Sequence, residues 1–254
     1  TTFFTLGFGD LTAATTSGRV IAVVESGVGF GFLALVISYL PVLYQSFSKR
    51  EAPILLLDAR AGTPPVAGDL LIRSAEDMES LTHLLAEYER WCAQLLESYL
   101  SYPVLAYYRS QHDRITWFGT LAVLMDACAL IRLDFRNNEP WERALRRQAE
   151  HTYAIARHVL VDLAFILGAP PTQPVADRMP QERFGDFLKN LDGMGVRLHF
   201  AGDAERKFGR MRREYEPYLA GLAEHLLYPL PPLSREHQEL DSWQTSAWDK
   251  IAHF

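Results

Sequence analysis

The first ten residues, TTFFTLGFGD, hold two glycines two positions apart, Gly7 and Gly9, with Thr5 before them and Asp10 after them. Glycine adopts positive φ angles without the steric penalty of a β-carbon. Glycines at this spacing therefore allow consecutive backbone carbonyls to face one axis, where a ring of carbonyls replaces the water around a cation. The spacing alone assigns no function, because Gly-aromatic-Gly turns are common in ordinary loops, and its meaning depends on what surrounds it.

An apolar run follows this segment. Residues 20–40 contain one charged side chain, Glu25, and about 20 such residues in a helix cross the core of a bilayer. The run lacks the polar stripe that a surface helix of a soluble protein carries. Thr15, Thr16 and Ser17 are suitable helix caps before it. The run therefore predicts a membrane-spanning helix.

Two basic residues, Lys49 and Arg50, come shortly after this span. Basic residues next to a span favour the cytoplasmic side of the membrane. The sequence therefore predicts that residues after about 50 are cytoplasmic, and that the segment before the span faces outward.

Together, the opening pattern and the span resemble the selectivity filter and inner helix of pore-domain potassium channels of the bacterial two-transmembrane type. The filter pattern of that family is Thr-x-Gly-Tyr/Phe-Gly-Asp, and residues 5–10 match it at every position. The resemblance implies K+ coordination by four backbone carbonyls, with two further residues at the outer mouth: Thr5, Leu6, Gly7 and Phe8, then Gly9 and Asp10.

The resemblance also implies the partners of the protein. K+ is the permeant ion, no cofactor is expected, and the surroundings are the lipid bilayer of the cell (inner) membrane. One filter strand supplies a quarter of each carbonyl ring, so the resemblance implies a homotetramer.

The resemblance extends into the span. In that family the inner helix begins with a Gly-Arg pair, as Gly18-Arg19 does here, and bends at a glycine about ten residues later, where Gly29 lies. Close helix packing is the alternative role of Gly29. Pro41 is predicted either to kink the helix and shape a gate or to end the span. Because a carboxylate is costly in lipid, Glu25 is predicted to pack behind the filter and bond the pore loop; the alternative is a cavity-facing or snorkelling acid with no special role.

The same family requires an outer helix and a pore helix before the filter. The chain begins at TTFF, so the sequence is expected to be the C-terminal part of a longer protein. Whether the preceding part holds a second filter is left open, and a homotetramer is expected if it does not.

The remainder of the chain differs in charge. Residues 51–254 hold 22 basic and 29 acidic residues, and an acidic surface argues against a nucleic-acid partner. Cys92 and Cys128 lie in apolar runs without a CxxC spacing, so both are predicted to be buried free thiols. The sequence has no P-loop, nucleophile elbow or metal motif, and we predict a protein that is not an enzyme.

Helical periodicity dominates the remainder, and the predicted fold class is all-α. A capping box at Ser74 and Asp77 is predicted to open an amphipathic helix. The apolar run 115–133 predicts a buried central helix rather than a second span. A further helix is predicted from Pro140 to about Gly168.

Shorter helices are predicted near 180–192 and 203–227, with Pro217 kinking the last. Residues 54–58 are predicted to form either a short strand or a buried turn. The predicted organisation has four parts: a filter and inner helix (1–49), a linker (50–73), a cytosolic helical-bundle domain (74–230) and a C-terminal tail (231–254).

The polar side chains of residues 51–254 form no clear catalytic or metal-binding pattern. His151, His158 and Asp162 share one helix face, where structural polar groups are favoured over a metal site. Asp126 and Asp162 lie in apolar helices, and pairing with arginines is favoured over a pair of acids sensitive to pH or cations. The basic stretch 205–216 favours a solvated helix face over a contact with lipid headgroups.

The predicted function is a potassium-selective channel subunit with passive K+ conduction, an inner-helix gate and a helical cytosolic regulatory or assembly domain. Two alternatives remain. One is a membrane-anchored helical sensor or scaffold with a vestigial or weakly conducting pore, and the other is a helical enzyme tethered to a pore.

Overall fold

The computed structural model describes residues 2–4, 6, 7, 9, 12–111, 114–133, 139–174, 176–196, 198–200 and 202–235. The fold is all-α, as predicted, and no strand occurs within these ranges. In chain order the helices are α1 (Thr16–Ala61), α2 (Ala67–Arg73), α3 (Met78–Ser101), α4 (Trp117–Arg132), α5 (Pro140–Ile166), α6 (Gln181–Gly193), α7 (Ala204–Arg213) and α8 (Glu216–Leu226), with a 3-10 helix at Pro103–Tyr107. The chain divides into two compact units, Thr1–Ser48 and Lys49–Phe254, and we call the second unit the body.

Helix α1 contains 46 residues, more than twice the length that a bilayer core requires. Its first part belongs to the first unit, and its last part, from Lys49 onward, belongs to the body. Pro41 and Pro53 both lie inside α1, and neither ends it. A proline removes one backbone hydrogen bond of a helix, and the turns on both sides keep the helix continuous here.

The stretch predicted as a linker, 50–73, consists mainly of helix, namely the end of α1 and all of α2. Ile54, Leu57 and Ala61 recur on one face of α1 and are at most 1% exposed, so this part of α1 is a core helix of the body. The short strand considered for 54–58 is wrong, because this helical stripe supplies the burial that the apolar run requires.

The core of the body is centred on α4. Helix α5 packs against α3 and α4, and α4 also contacts α2 and α7. With neighbours on several sides, α4 is buried nearly all round, and every residue from 121 to 131 is at most 1% exposed. The prediction of a buried central helix within 115–133 is therefore confirmed.

The starts of α3 and α5 depend on capping side chains. Asp77 caps α3 by accepting a hydrogen bond of 2.9 Å from the backbone N–H of Ser80. The predicted capping box with Ser74 as the cap is wrong in register, because Ser74 ends α2. Helix α5 begins at Pro140 with a reciprocal box between Glu139 and Glu142, which confirms the predicted start.

The region 203–227 forms two helices instead of one kinked helix. Helix α7 ends at Arg213, and Pro217 is the second residue of α8. Proline suits the first turn of a helix, where its missing N–H would have no partner, so the sequence signal marks a new start. Of the predicted tail 231–254, residues 236–254 lie outside the described part of the chain, while Leu233 is fully buried.

Candidate functional site

The opening segment places its two glycines in a left-handed backbone conformation. Gly7 has a φ of 44° and Gly9 a φ of 81°, values that side chains with a β-carbon rarely adopt. Leu6, between the first glycine and the predicted ligand Thr5, is 63% exposed. Thr5, Phe8 and Asp10, three of the six pattern residues, lie outside the described part of the chain.

Helix α1 is long and apolar enough to cross a membrane by length and composition. An 18-residue window of α1 has a mean hydropathy of 2.3, and 6% of that window is buried. No other helix in the described ranges meets this description. The 21 residues from 20 to 40 rise about 31 Å along the helix axis, which equals the thickness of a bilayer core of about 30 Å.

The start of α1 is fixed by two local contacts. Thr15 accepts a hydrogen bond of 3.1 Å from the backbone N–H of Gly18 at its hydroxyl, which confirms Thr15 among the predicted caps. Arg19 donates from Nε to the backbone carbonyl of Ala13 at 3.3 Å. Arg19 therefore ties the first turn of the helix back to the segment that follows the glycines.

Gly29 is the position where the opening segment meets α1. A β-carbon on Gly29 would overlap the backbone carbonyl of Phe3, whereas one on Gly27 or Gly31 would meet nothing within 4 Å. The Phe3 ring also lies 6.4 Å from the ring of Phe32, between centroids. Of the three glycines, Gly29 is thus the one whose missing side chain admits another backbone.

The two other predicted gating residues are both exposed. Glu25 is exposed on α1, and within the described ranges no side-chain hydrogen bond or salt bridge involves it. Pro41 is exposed inside the continuous helix.

Arg50, predicted as a basic residue beside the span, is instead a buried part of the body. It is 4% exposed and donates to the Tyr99 hydroxyl at 2.9 Å and to the backbone carbonyls of Leu105 and Tyr108 at 3.1 and 3.0 Å. Glu51 lies 2.7 Å from the guanidinium. Burial acts to lower the pKa of Arg50, but Tyr99 and Glu51 outweigh it and raise the pKa.

Asp126, the acid in the middle of α4, is paired as predicted. Arg178 donates two hydrogen bonds to its carboxylate at 2.7 and 2.9 Å, and the Tyr215 hydroxyl donates a third at 2.7 Å. The Arg178 and Asp126 side chains are 7% and 1% exposed. Burial acts to lower the pKa of Arg178, but the charge of Asp126 and its hydrogen bonds raise that pKa above its usual value.

This pair continues outward as a network that the sequence does not reveal. Glu216 lies 3.1 Å from Arg178 and 2.7 Å from Arg212. Arg212 also bonds Asp177 and, at 2.9 Å, the backbone carbonyl of Met179. Arg178 and Asp177 lie in an irregular loop, where no periodicity marks them, so only Asp126 has a sequence signal, as a charge inside an apolar run.

The other polar candidates of the body have structural roles. His158 and Asp162 form a pair at 3.3 Å, and His151 is exposed. Cys92 and Cys128 are both free and buried, as predicted, and burial raises the pKa of Cys128 to about 12. Within the described residues, no group of three or more His, Cys, Asp or Glu side chains is placed to hold a metal ion.

Comparison with known proteins concerns the first unit. Residues 1–45 match a family model described as "ion channel". The matched range covers the glycine pattern and the whole apolar run 20–40, and it ends before the body. A search of curated proteins and a search of solved structures each found no match to the chain. The match supports an ion channel family for this part of the chain, and together with the apolar α1 it indicates a membrane protein.

Proposed function

We propose that the protein is a subunit of a potassium-selective channel. The observation that carries the proposal is the order of two features: the pattern Thr-Leu-Gly-Phe-Gly-Asp at residues 5–10 directly precedes an apolar helix of membrane-spanning length. Both features lie in the range that matches the ion channel family. Potassium selectivity follows in this proposal from the pattern itself.

The proposed chemistry is exchange of ligands around a dehydrated cation. The backbone carbonyls of residues 5–8 replace the hydration water of K+, and the positive φ values of Gly7 and Gly9 support a backbone that turns successive carbonyls toward one side. Transport is passive, and the protein supplies geometry rather than a covalent step. In the proposal Gly9 and Asp10 border the outer mouth.

The proposed assembly is a homotetramer in the inner cell membrane with the body in the cytoplasm. Four copies complete each carbonyl ring, as one strand cannot surround an ion. The gate is proposed to form from α1 around Gly29 and Pro41. The close approach of the Phe3 backbone to Gly29 supports coupling between the opening segment and this part of the helix.

A flux assay tests the proposal. The chain, together with any sequence that precedes it in its gene, is reconstituted into phosphatidylcholine vesicles, and K+ and Na+ efflux are measured separately. We expect K+ efflux well above Na+ efflux. Gly7→Ala should abolish the preference, because a β-carbon at a positive φ costs about 1–2 kcal/mol in every subunit.

Gly27→Ala is the matched control, since this glycine is helical and a β-carbon there meets no atom within 4 Å. Its flux should equal that of the unmodified protein. Absence of K+ efflux, or equal K+ and Na+ efflux, would contradict the proposal and favour the membrane-anchored sensor or scaffold.

A further inference from the structure

The body contains an open cleft of about 830 Å³. Its walls come from the loop and helix between Gln173 and Phe184 and from α7. Small-molecule sites in proteins commonly have volumes of about 300–1,000 Å³. The cleft therefore has room for an organic molecule larger than a simple ion.

Four arginines of α7 line this cleft, and three of them share one face of the helix: Arg206, Arg210 and Arg213. Their spacing of four and three residues places them on one helix face, and all three are exposed. In the described part of the chain none of them makes a side-chain hydrogen bond or salt bridge. Guanidinium groups in a row are suited to bidentate recognition of phosphate or carboxylate.

Apart from Glu205, the other charged side chains of the cleft are paired within the protein. Arg212 bonds Glu216, Asp177 and the carbonyl of Met179, so its positive charge is compensated within the protein. Asp203 pairs with Lys207 at 3.1 Å. The remaining cationic groups are the three arginines, and they give the cleft an attraction for anions.

One acid in the cleft has an unused acceptor. Glu205 lines the cleft, and its Oε1 atom is buried with no hydrogen-bond partner among the described residues. A buried acceptor without a donor is unfavourable, and rotation of the Glu205 side chain toward the cleft would let a ligand O–H group satisfy it. An anion alone would instead be repelled by this carboxylate.

We propose that the cleft binds a phosphate ester that also carries hydroxyl groups. The arginine row of α7 holds the phosphate, and Glu205 accepts a hydrogen bond from a hydroxyl. Soluble sugar phosphates, nucleotides and the headgroups of polyol phospholipids share this chemistry. The inference concerns ligand binding by the body and does not depend on ion conduction.

The first test is titration of ribose 5-phosphate into the full chain held in phosphatidylcholine nanodiscs. Saturable binding is expected. Arg210→Gln with Arg213→Gln should weaken it about ten-fold or more, because hydrogen bonds to charged groups are lost. Arg206 is left in place, since the neighbouring charge of Asp203 interacts with it.

The control carries the same change of charge away from the cleft. Arg90 on α3 and Arg147 on α5 are both exposed, and the double variant Arg90→Gln with Arg147→Gln should bind as the unmodified chain does. No saturable binding by the unmodified chain, or equal binding by the Arg210/Arg213 variant, overturns the proposal.

Glu205→Gln tests the hydroxyl part. Inorganic phosphate should bind this variant more tightly, because a repelling charge is removed, while ribose 5-phosphate loses a charge-assisted hydrogen bond. The ratio of the two affinities should therefore fall about five-fold. An unchanged ratio overturns the assignment of Glu205.

The source of the ligand is tested by lipid composition. Nanodiscs with phosphatidylinositol in place of part of the phosphatidylcholine are compared with nanodiscs that hold the same share of phosphatidylserine, which has the charge without the polyol. If ribose 5-phosphate binds more weakly in the phosphatidylinositol nanodiscs but not in the phosphatidylserine nanodiscs, a lipid headgroup is the occupant. Equal binding in all nanodiscs identifies a soluble phosphate ester.

Discussion

The apolar part of α1 and the core helix α4 are similar in composition and opposite in surroundings. The membrane-length window of α1 is 6% buried, whereas residues 121–131 of α4 are at most 1% exposed. Each contains a single acid. Asp126 in α4 receives hydrogen bonds from Arg178 and Tyr215, while Glu25 in α1 is exposed.

Hydrophobicity predicts that a helix leaves water, but it does not identify whether protein or lipid surrounds the helix. Helix α4 has 16 residues and rises about 24 Å, which is short of a bilayer core of about 30 Å. Its acid has a cationic partner from the same chain. Length and the partner of the lone charge therefore distinguish a core helix from a helix that lipid surrounds.

The largest effect is expected at the acid of α4. Asp126→Leu should destabilise the body by about 3–5 kcal/mol, because it leaves the buried guanidinium of Arg178 without its main counter-charge. The measurement is the free energy of unfolding in urea, followed by tryptophan fluorescence, since Trp91 and Trp117 are buried in the body.

A double variant shows whether the lost charge is the cause. Asp126→Leu combined with Arg178→Met replaces the pair with apolar side chains, and most of the lost stability should return. If the double variant is as unstable as Asp126→Leu, packing around α4 and not an unpaired charge explains the loss.

The second effect concerns the medium around α1. Phe30 lies at the centre of residues 20–40 and is 68% exposed. Phe30→Arg should disfavour membrane integration by about 3 kcal/mol, which lowers the fraction of chain that resists alkaline extraction from membranes. The stability of the body should not change.

Tyr44→Arg is the control for position, because a long cationic side chain near the end of the apolar run reaches the polar interface. Its integration should remain close to that of the unmodified chain. Full integration of the Phe30→Arg variant would indicate that this face of α1 meets protein or water instead of lipid.

The sequence predicts the helices well because their signals are local. Periodicity predicts α3, composition predicts the burial of α4, and Pro140 and Gly168 predict the two ends of α5. The sequence does not reveal the roles of side chains that depend on distant partners. The sequence predicts Arg50 as a cation at the membrane interface. In the fold it instead donates hydrogen bonds to the Tyr99 hydroxyl and the Leu105 carbonyl.

The body end of α1 is helical where the sequence predicts a linker, for a related reason. Pro53 and the glycine and prolines after it are typical of a linker, yet burial of Ile54 and Leu57 maintains the helix. Tertiary contacts here outweigh local propensity. For the opening segment, the six-residue pattern is itself the signal, and the prediction of K+ ligands there stays a prediction.

A third, smaller effect compares the two parts of α1. The Tyr88 hydroxyl donates a hydrogen bond of 2.7 Å to the carbonyl of Pro53. Tyr88→Phe should cost the body about 1 kcal/mol of unfolding free energy, the usual net value of one hydrogen bond.

Tyr44→Phe changes the same group in the apolar part, where the ring is 66% exposed, and should change stability by less than about 0.5 kcal/mol. Equal losses of unfolding free energy in the two variants would contradict this difference between the two parts of α1.

The smallest effect is expected at the water-facing end of the network that begins at Asp126. Partial burial acts to raise the pKa of Asp177, but the hydrogen bonds from Arg212 and the Met179 N–H, with the charges of Arg212 and Arg178, outweigh it and lower the pKa. A carboxyl whose pKa is lowered in the folded state contributes stability above its unfolded pKa of about 3.9. That contribution is lost as the pH falls through the lower, folded pKa.

Asp177→Asn should therefore reduce stability at neutral pH slightly and flatten the decline of the unfolding midpoint between neutral and acidic pH. Asp186→Asn is the matched control, because the pKa of Asp186 is also lowered, by its hydrogen bond from Lys189. The side chains of Asp186 and Lys189 are each about 80% exposed. Water and salt screen the Asp186 pair more strongly, so its variant should change the acid limb less than Asp177→Asn does. If the two variants behave alike, the network from Asp126 ends before Asp177, and the charge pairing that distinguishes α4 from α1 is confined to the core.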